Sequence, residues 1–192
     1  MPPLDATMWA YAVLVAVLIA AAVDDVRTGK IHNWLTYPAA VIGIAGHCFL
    51  DGVDIHGRPL GVAGAVVGLL VGFGPMFLAW RAGGVGGGDA KLMGAVGALT
   101  GWKFALATML CGFVIAGLMA IIVTLRRRIL RRTIGRIWWF LVQAVLRNKP
   151  DDPSSEDSPQ IAIGLALAFG GSIVVADALF KGPMANWLFG AG

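Results

Sequence analysis

An all-α fold of about six transmembrane helices is predicted by three observations. First, 58% of the 192 residues are hydrophobic and only 14% are charged, with a mean hydropathy of +0.78. A water-soluble domain needs far more polar surface. Second, the apolar residues are gathered into runs close to the roughly 20 residues that cross a bilayer as a helix. Third, Lys and Arg flank these runs, where they set topology and meet anionic headgroups. The net charge of +4 therefore does not point to nucleic acid. A single membrane domain over 1–192 is expected. Cys48 and Cys111 lie in different apolar runs and no C-x-x-C occurs, so neither a disulfide nor a zinc site is expected.

The N-terminal residues contain Asp5 but no Lys or Arg, which is unlike the basic start of a cleavable signal peptide. The first helix is placed at 8–24 and retained, with its N-terminus outside. It runs into Asp24-Asp25-Val26-Arg27-Thr28-Gly29-Lys30. The second is placed at 34–50, with Trp34 and Tyr37 as interfacial anchors. A third span over 60–80 carries Gly64, Gly68 and Gly72 at four-residue spacing, a small-residue face on which another helix can pack closely.

The fourth segment, 91–102, is short for a span, and charge decides its reading. Arg126, Arg127, Arg128, Arg131, Arg132 and Arg136 follow the fifth helix, 104–125. If 91–102 spans, this cluster shares a side with Arg27, Lys30, Arg81 and Lys91; if it turns back, the positive-inside rule breaks. A short spanning fourth helix is therefore expected. The cytoplasmic loop 126–159 includes an amphipathic segment with Trp138-Trp139-Phe140, suited to the membrane interface. It ends in a linker rich in acidic residues, Pro and Ser. The sixth helix is placed at 160–180, with Asp177 near its outer end.

Two features remain that topology does not require. Five glycines fall in the six positions 83–88, directly before Asp89. Glycine-rich backbone is entropically costly, and close approach of another peptide backbone would justify it. The simpler reading makes Asp89 the N-cap of the next helix. Asp24 and Asp25, in turn, sit at a helix C-terminus, where carboxylates oppose the macrodipole by about 0.3–1 kcal/mol each. A hydrated loop start could bear that cost.

With six spans and the N-terminus outside, helix 1 ends and helix 4 begins on the same face. Asp25 and Asp89 can then meet near the cytoplasmic boundary. Two carboxylates in a partly dehydrated site do not both ionise easily; one becomes an acid, the other a base, and the pair titrates as a unit. Aspartyl peptide hydrolysis needs that arrangement. The ionised group activates water, and the protonated one polarises the scissile carbonyl and then serves the leaving amine.

Gly86-Gly87-Gly88-Asp89 matches the G-x-G-D signature of intramembrane aspartyl proteases. The stretch Asp25 to Asn33 resembles the first-aspartate motif of type IV prepilin peptidases, in which an apolar residue stands six positions after the Asp, usually followed by Pro-Asn. Counting from Asp25 brings Ile31 and Asn33 into register; counting from Asp24 does not. Asp24 points about 100° away around the helix. His32 stands where the family usually has proline. The stretch Ile163 to Gly170 resembles the family's last helix.

The resemblance implies a prepilin leader peptidase with catalytic Asp25 and Asp89 and a substrate-binding glycine loop at Gly86, Gly87 and Gly88. Asp24, Arg27 and Lys91 are auxiliary candidates, with Arg27 and Lys91 expected to bind lipid phosphates. No cofactor and no metal are implied. The expected partners are prepilin or pseudopilin precursors and membrane lipids, with cleavage after a Gly where a short basic leader meets an apolar helix. The implied location is the inner (cytoplasmic) membrane, with both termini outside and the site at the cytoplasmic face. The chain lacks the C-x-x-C pairs of the longer methyltransferase-bearing members, and so resembles the short branch that includes the leader peptidases of tight-adherence pili. Two other functions fit the same residues. One is a metal-dependent lipid-modifying enzyme with Mg²⁺ on Asp24, Asp25 and Asp89; the other is a scaffold assembled through its glycine faces.

Overall fold

The computed structural model describes residues 5–49, 61–126 and 163–180. These form six helices: α1 (Asp5–Thr28), α2 (Asn33–Phe49), α3 (Gly61–Arg81), α4 (Gly87–Thr100), α5 (Trp102–Arg126) and α6 (Ile163–Leu179). No strand occurs among the described residues. Segments 8–28, 61–81 and 102–123 are long and apolar enough to cross a membrane. The amphipathic segment expected within loop 126–159 lies outside the described residues.

The chain divides into two units. The first holds 1–115 and 162–192, and with them α1 to α4, the start of α5, and α6. The second, 116–161, contributes among described residues only the end of α5, where Leu118, Ile121, Ile122 and Leu125 are exposed. Such outward apolar surface suits contact with lipid, as do exposed Leu70 and Leu78 on α3.

The first unit is built around α4. At 14 residues this helix is about 21 Å long at about 1.5 Å per residue, shorter than a hydrocarbon core of about 30 Å. Nearly every side chain from Asp89 to Leu99 is buried, so α4 is covered by protein on all sides and need not match lipid thickness. It packs most extensively on α3, then on α2, and also touches α1 and α6.

Small residues make that packing possible. A Cβ on Gly68 would run into the Gly97 carbonyl, and one on Gly72 into the Met93 carbonyl. From the other side, a Cβ on Gly43 of α2 would lie 2.8 Å from the Ala98 carbonyl carbon. Lipid tails are as apolar as leucine, so helices in a membrane gain little from hydrophobic transfer and associate through such backbone proximity. The expected packing face on α3 is thus found at Gly68 and Gly72, and its partner is α4. His47 adds a polar tie near the far end, its Nε2 standing 2.8 Å from the Leu99 carbonyl. That acceptor requires the proton on Nε2.

Helix ends differ from the expected bounds for local reasons. α1 continues past residue 24 through both aspartates, because hydropathy falls there before helical hydrogen bonding does. It stops at Gly29, whose φ of +66° is the left-handed conformation that favours glycine; its N–H donates to the Asp25 carbonyl at 2.8 Å. α4 starts at Gly87 rather than 91, with a polar first turn. Gly101, φ +86°, is the single residue between α4 and α5, so α5 opens at Trp102.

Candidate active site

The C-terminal turn of α1, the turn 29–32, the start of α4 and the start of α6 come together at one end of the first unit. Asp25 is buried at 8% exposure and Asp89 at 7%. Leaving a carboxyl dehydrated is costly unless something answers it, and each has a backbone donor. Leu165, in the first turn of α6, donates its N–H to Asp25 Oδ2 at 2.8 Å. Gly86 donates its N–H to Asp89 Oδ2 at 3.1 Å.

Asp89 is therefore not the N-cap. Gly86 occupies that position, and Asp89 is the third helical residue, reaching back to the cap N–H. It lies in the polar first turn, ahead of the apolar run and outside the three segments long enough to span. Burial first, and then the nearby Asp25 charge, push its carboxyl up to about 6, against the opposing effect of the Gly86 N–H. Two buried carboxyls close enough to feel each other are what a shared-proton pair needs.

Ile31 connects the two halves. Buried at 7% exposure, it crosses between α4 and α6. A Cβ on Gly88 would lie 2.7 Å from the Ile31 carbonyl oxygen, and one on Gly164 would lie 2.7 Å from Ile31 Cδ1 and 2.9 Å from Asp25 Oδ2. Gly88 thus serves close approach of the protein's own backbone. Gly87 faces the Trp80 indole, where a Cβ would lie 3.2 Å from Nε1. Gly86 alone of the three is exposed, and a Cβ there would meet only the Asp89 carboxyl, 2.9 Å from Oδ2.

The auxiliary candidates separate. Asp24 Oδ2 accepts the His32 N–H at 3.0 Å and stands 2.7 Å from His32 Nδ1. Lys91, expected at lipid phosphates, donates to Asn33 Oδ1 at 2.7 Å and lies over the Tyr37 ring, 5.2 Å from its centroid. Arg27 is exposed on the last turn of α1. No group of three His, Cys, Asp or Glu side chains suited to a metal occurs among the described residues.

Reasoning from sequence missed Leu165 and Gly164 as the neighbours of Asp25. The available signal was the small residue at 164 beside an apolar helix start, which says nothing by itself about a carboxylate 139 positions earlier.

The profile of the type IV leader peptidase family matches residues 12–121, more than half of the 192 and inclusive of both buried carboxyls. The chain belongs to the type IV leader peptidase family. Comparison with curated proteins and with solved structures finds no significant match. Membership carries the general activity of a leader peptidase acting on pilin precursors, and with the apolar helices it marks a membrane protein. In this leader peptidase the family match ends before α6, so the Leu165 contact to Asp25 lies beyond the matched stretch.

Proposed function

We propose that this leader peptidase is an aspartic endopeptidase in which Asp25 and Asp89 form the catalytic pair. The observation that carries the reading is the burial of two mutually interacting carboxyls, delivered by α1 and α4, at one end of the unit. One of them, Asp89, holds its proton to a higher pH than an ordinary carboxyl does, up to about 6.

In each carboxyl one oxygen is engaged by a backbone N–H, which leaves the other to handle proton or water. Ionised Asp25 takes a proton from water as the water oxygen attacks the scissile carbonyl carbon. Protonated Asp89 hydrogen-bonds the carbonyl oxygen. When the C–N bond breaks, the amine leaves with a proton returned through the pair, and the acid product retains the water oxygen.

The chain acts as one domain with six spans, the fourth formed by the apolar part of α4 from Lys91 onward, and with both termini outside the inner membrane. The argument is charge: a spanning α4 puts the Arg cluster after α5 on the side that holds Arg27, Lys30, Arg81 and Lys91. The site then lies at the cytoplasmic edge of the bilayer. From there it reaches the junction between a short basic leader and the apolar helix of a pilin-like precursor. The bond must enter extended, because helical backbone hides its carbonyls in internal hydrogen bonds. Exposed Gly86, beside the Asp89 carboxyl, is the glycine best placed to meet the substrate backbone, which favours Gly before the scissile bond.

The test is co-expression with a candidate prepilin. Asp25→Asn and Asp89→Asn should each lower cleavage by about 10²–10⁴-fold, the usual contribution of a positioned acid or base, while the protein still reaches the membrane. Full processing by either variant would remove that residue from the mechanism.

A further inference from the structure

The Asp24–His32 contact lies outside the catalytic pair, and its geometry gives it a separate task. A single oxygen, Asp24 Oδ2, receives both the backbone N–H and the ring of His32. The two residues thereby close a loop across the turn that carries Ile31. Asp24 is 17% exposed and His32 48%, so the pair sits on the rim, with Ile31 buried directly beneath.

The turn's other ties are local. The Gly29 N–H donates to the Asp25 carbonyl at 2.8 Å, the Lys30 N–H to Thr28 Oγ1 at 3.3 Å and the Leu35 N–H to the His32 carbonyl at 3.2 Å. None of them reaches across the turn from Asp24 to residue 32. The Thr28 hydroxyl lies 2.9 Å from the Lys30 carbonyl, and Asn33 takes the Lys91 ammonium. Inward, Ile31 fills the space that Gly88 and Gly164 leave, next to the backbone donor of Asp25. If residue 32 moved outward, Ile31 would move with it, and the elements bearing the two carboxyls would lose the side chain between them.

We propose that Asp24 and His32 are positioning residues, clamping the turn 29–32 so that Ile31 stays wedged between Gly88 of α4 and Gly164 of α6. The role assigned rests on the aspartic peptidase reading only for its effect on rate. Asp24 is accordingly no acid or base. It acts through His32 and Ile31 on the spacing of Asp25 and Asp89.

The contact has two parts, which makes the test graded. His32→Ala removes the ring but keeps the N–H bond; Asp24→Ala removes both. With purified full-length enzyme and a prepilin, Asp24→Ala should lower kcat about tenfold, the scale of a sub-ångström misplacement, with KM within about twofold. His32→Ala should lower it about threefold, and the double variant should match Asp24→Ala, because neighbours in one contact are not additive. Asp24→Asn, which keeps an oxygen for the N–H, should recover part of the rate.

Amide hydrogen exchange over residues 30–33 reads the turn without any substrate. It should be slow in the wild type, faster in Asp24→Ala and intermediate in His32→Ala. Unchanged exchange would overturn the clamp, as would multiplicative losses in the double variant or a failure of Asp24→Asn to recover any rate. Faster exchange in Asp24→Ala, combined with no cleavage of any pilin by the wild type, would support the clamp and sink the peptidase reading instead.

Discussion

The two buried carboxyls reach the same place by opposite routes. Asp89 is held locally: it stands in the first turn of a short, fully covered helix, and the N–H it accepts comes from Gly86, three residues earlier. Asp25 is held from afar: it stands on the last turn of a long helix, and its donor is Leu165, at the opposite end of the chain. A local arrangement survives changes elsewhere, whereas a long-range one depends on α6 docking correctly. Damage to the α6 start should therefore disable Asp25 and leave Asp89 as it was.

Gly164→Ala tests this most severely. The added Cβ would lie 2.9 Å from Asp25 Oδ2 and 2.7 Å from Ile31 Cδ1. The isoleucine tip can turn away, but the carboxylate must shift from the Leu165 N–H. Cleavage should fall on the order of 10²-fold, as for a misplaced reacting group, with the protein still folded in detergent by circular dichroism. Activity within twofold of wild type would show that α6 does not set Asp25.

This asymmetry also explains what could be read from the sequence. Gly86-Gly87-Gly88-Asp89 was legible because the motif and its backbone partner lie within four residues. The register from Asp25 to Ile31 and Asn33 was equally local; the two aspartates it distinguishes also differ in place, Asp25 buried against α6 and Asp24 turned to His32. The packing face on α3 was legible through the period of Gly68 and Gly72. What remained hidden was which helix met that face, and which residue answered Asp25. Both depend on contacts between distant segments, and hydropathy does not encode partners. Helix ends moved for a related reason: hydropathy ends 8–24 at the aspartates, but hydrogen bonding carries α1 to Thr28.

A second test concerns the protonation of Asp89. Its carboxyl is raised to about 6, first by burial and then by the charge of Asp25. Because the reading needs Asp89 protonated, kcat/KM should decline as pH rises through about 6, losing up to tenfold per unit beyond it. In Asp25→Asn the charge is gone but the burial remains. The infrared carbonyl band of protonated Asp89 should then titrate at lower pH than in the wild type, yet still above the ordinary carboxylate value of 3.8. An unchanged midpoint would mean that the two groups do not interact.

The smallest expected effect lies on the rim, where a second link, between residues distant in sequence, joins α4 to α2. Lys91 on α4 donates to Asn33 at the start of α2 and lies over Tyr37. It stands two positions after Asp89, so it does not share that residue's helical face. Asn33 is exposed, and exposed charged contacts contribute little because water competes for both partners. Lys91→Met keeps the apolar stem and removes the donor, and should change kcat less than about threefold. Asn33→Ala should do the same, and the double variant should be no worse than either, since all three remove one link. A lysine that served instead to hold the site against lipid phosphate would behave differently. Its loss would matter more in anionic than in neutral proteoliposomes, and Asn33→Ala would leave the activity untouched. Measuring the three variants in both kinds of vesicle separates the internal link from the lipid anchor.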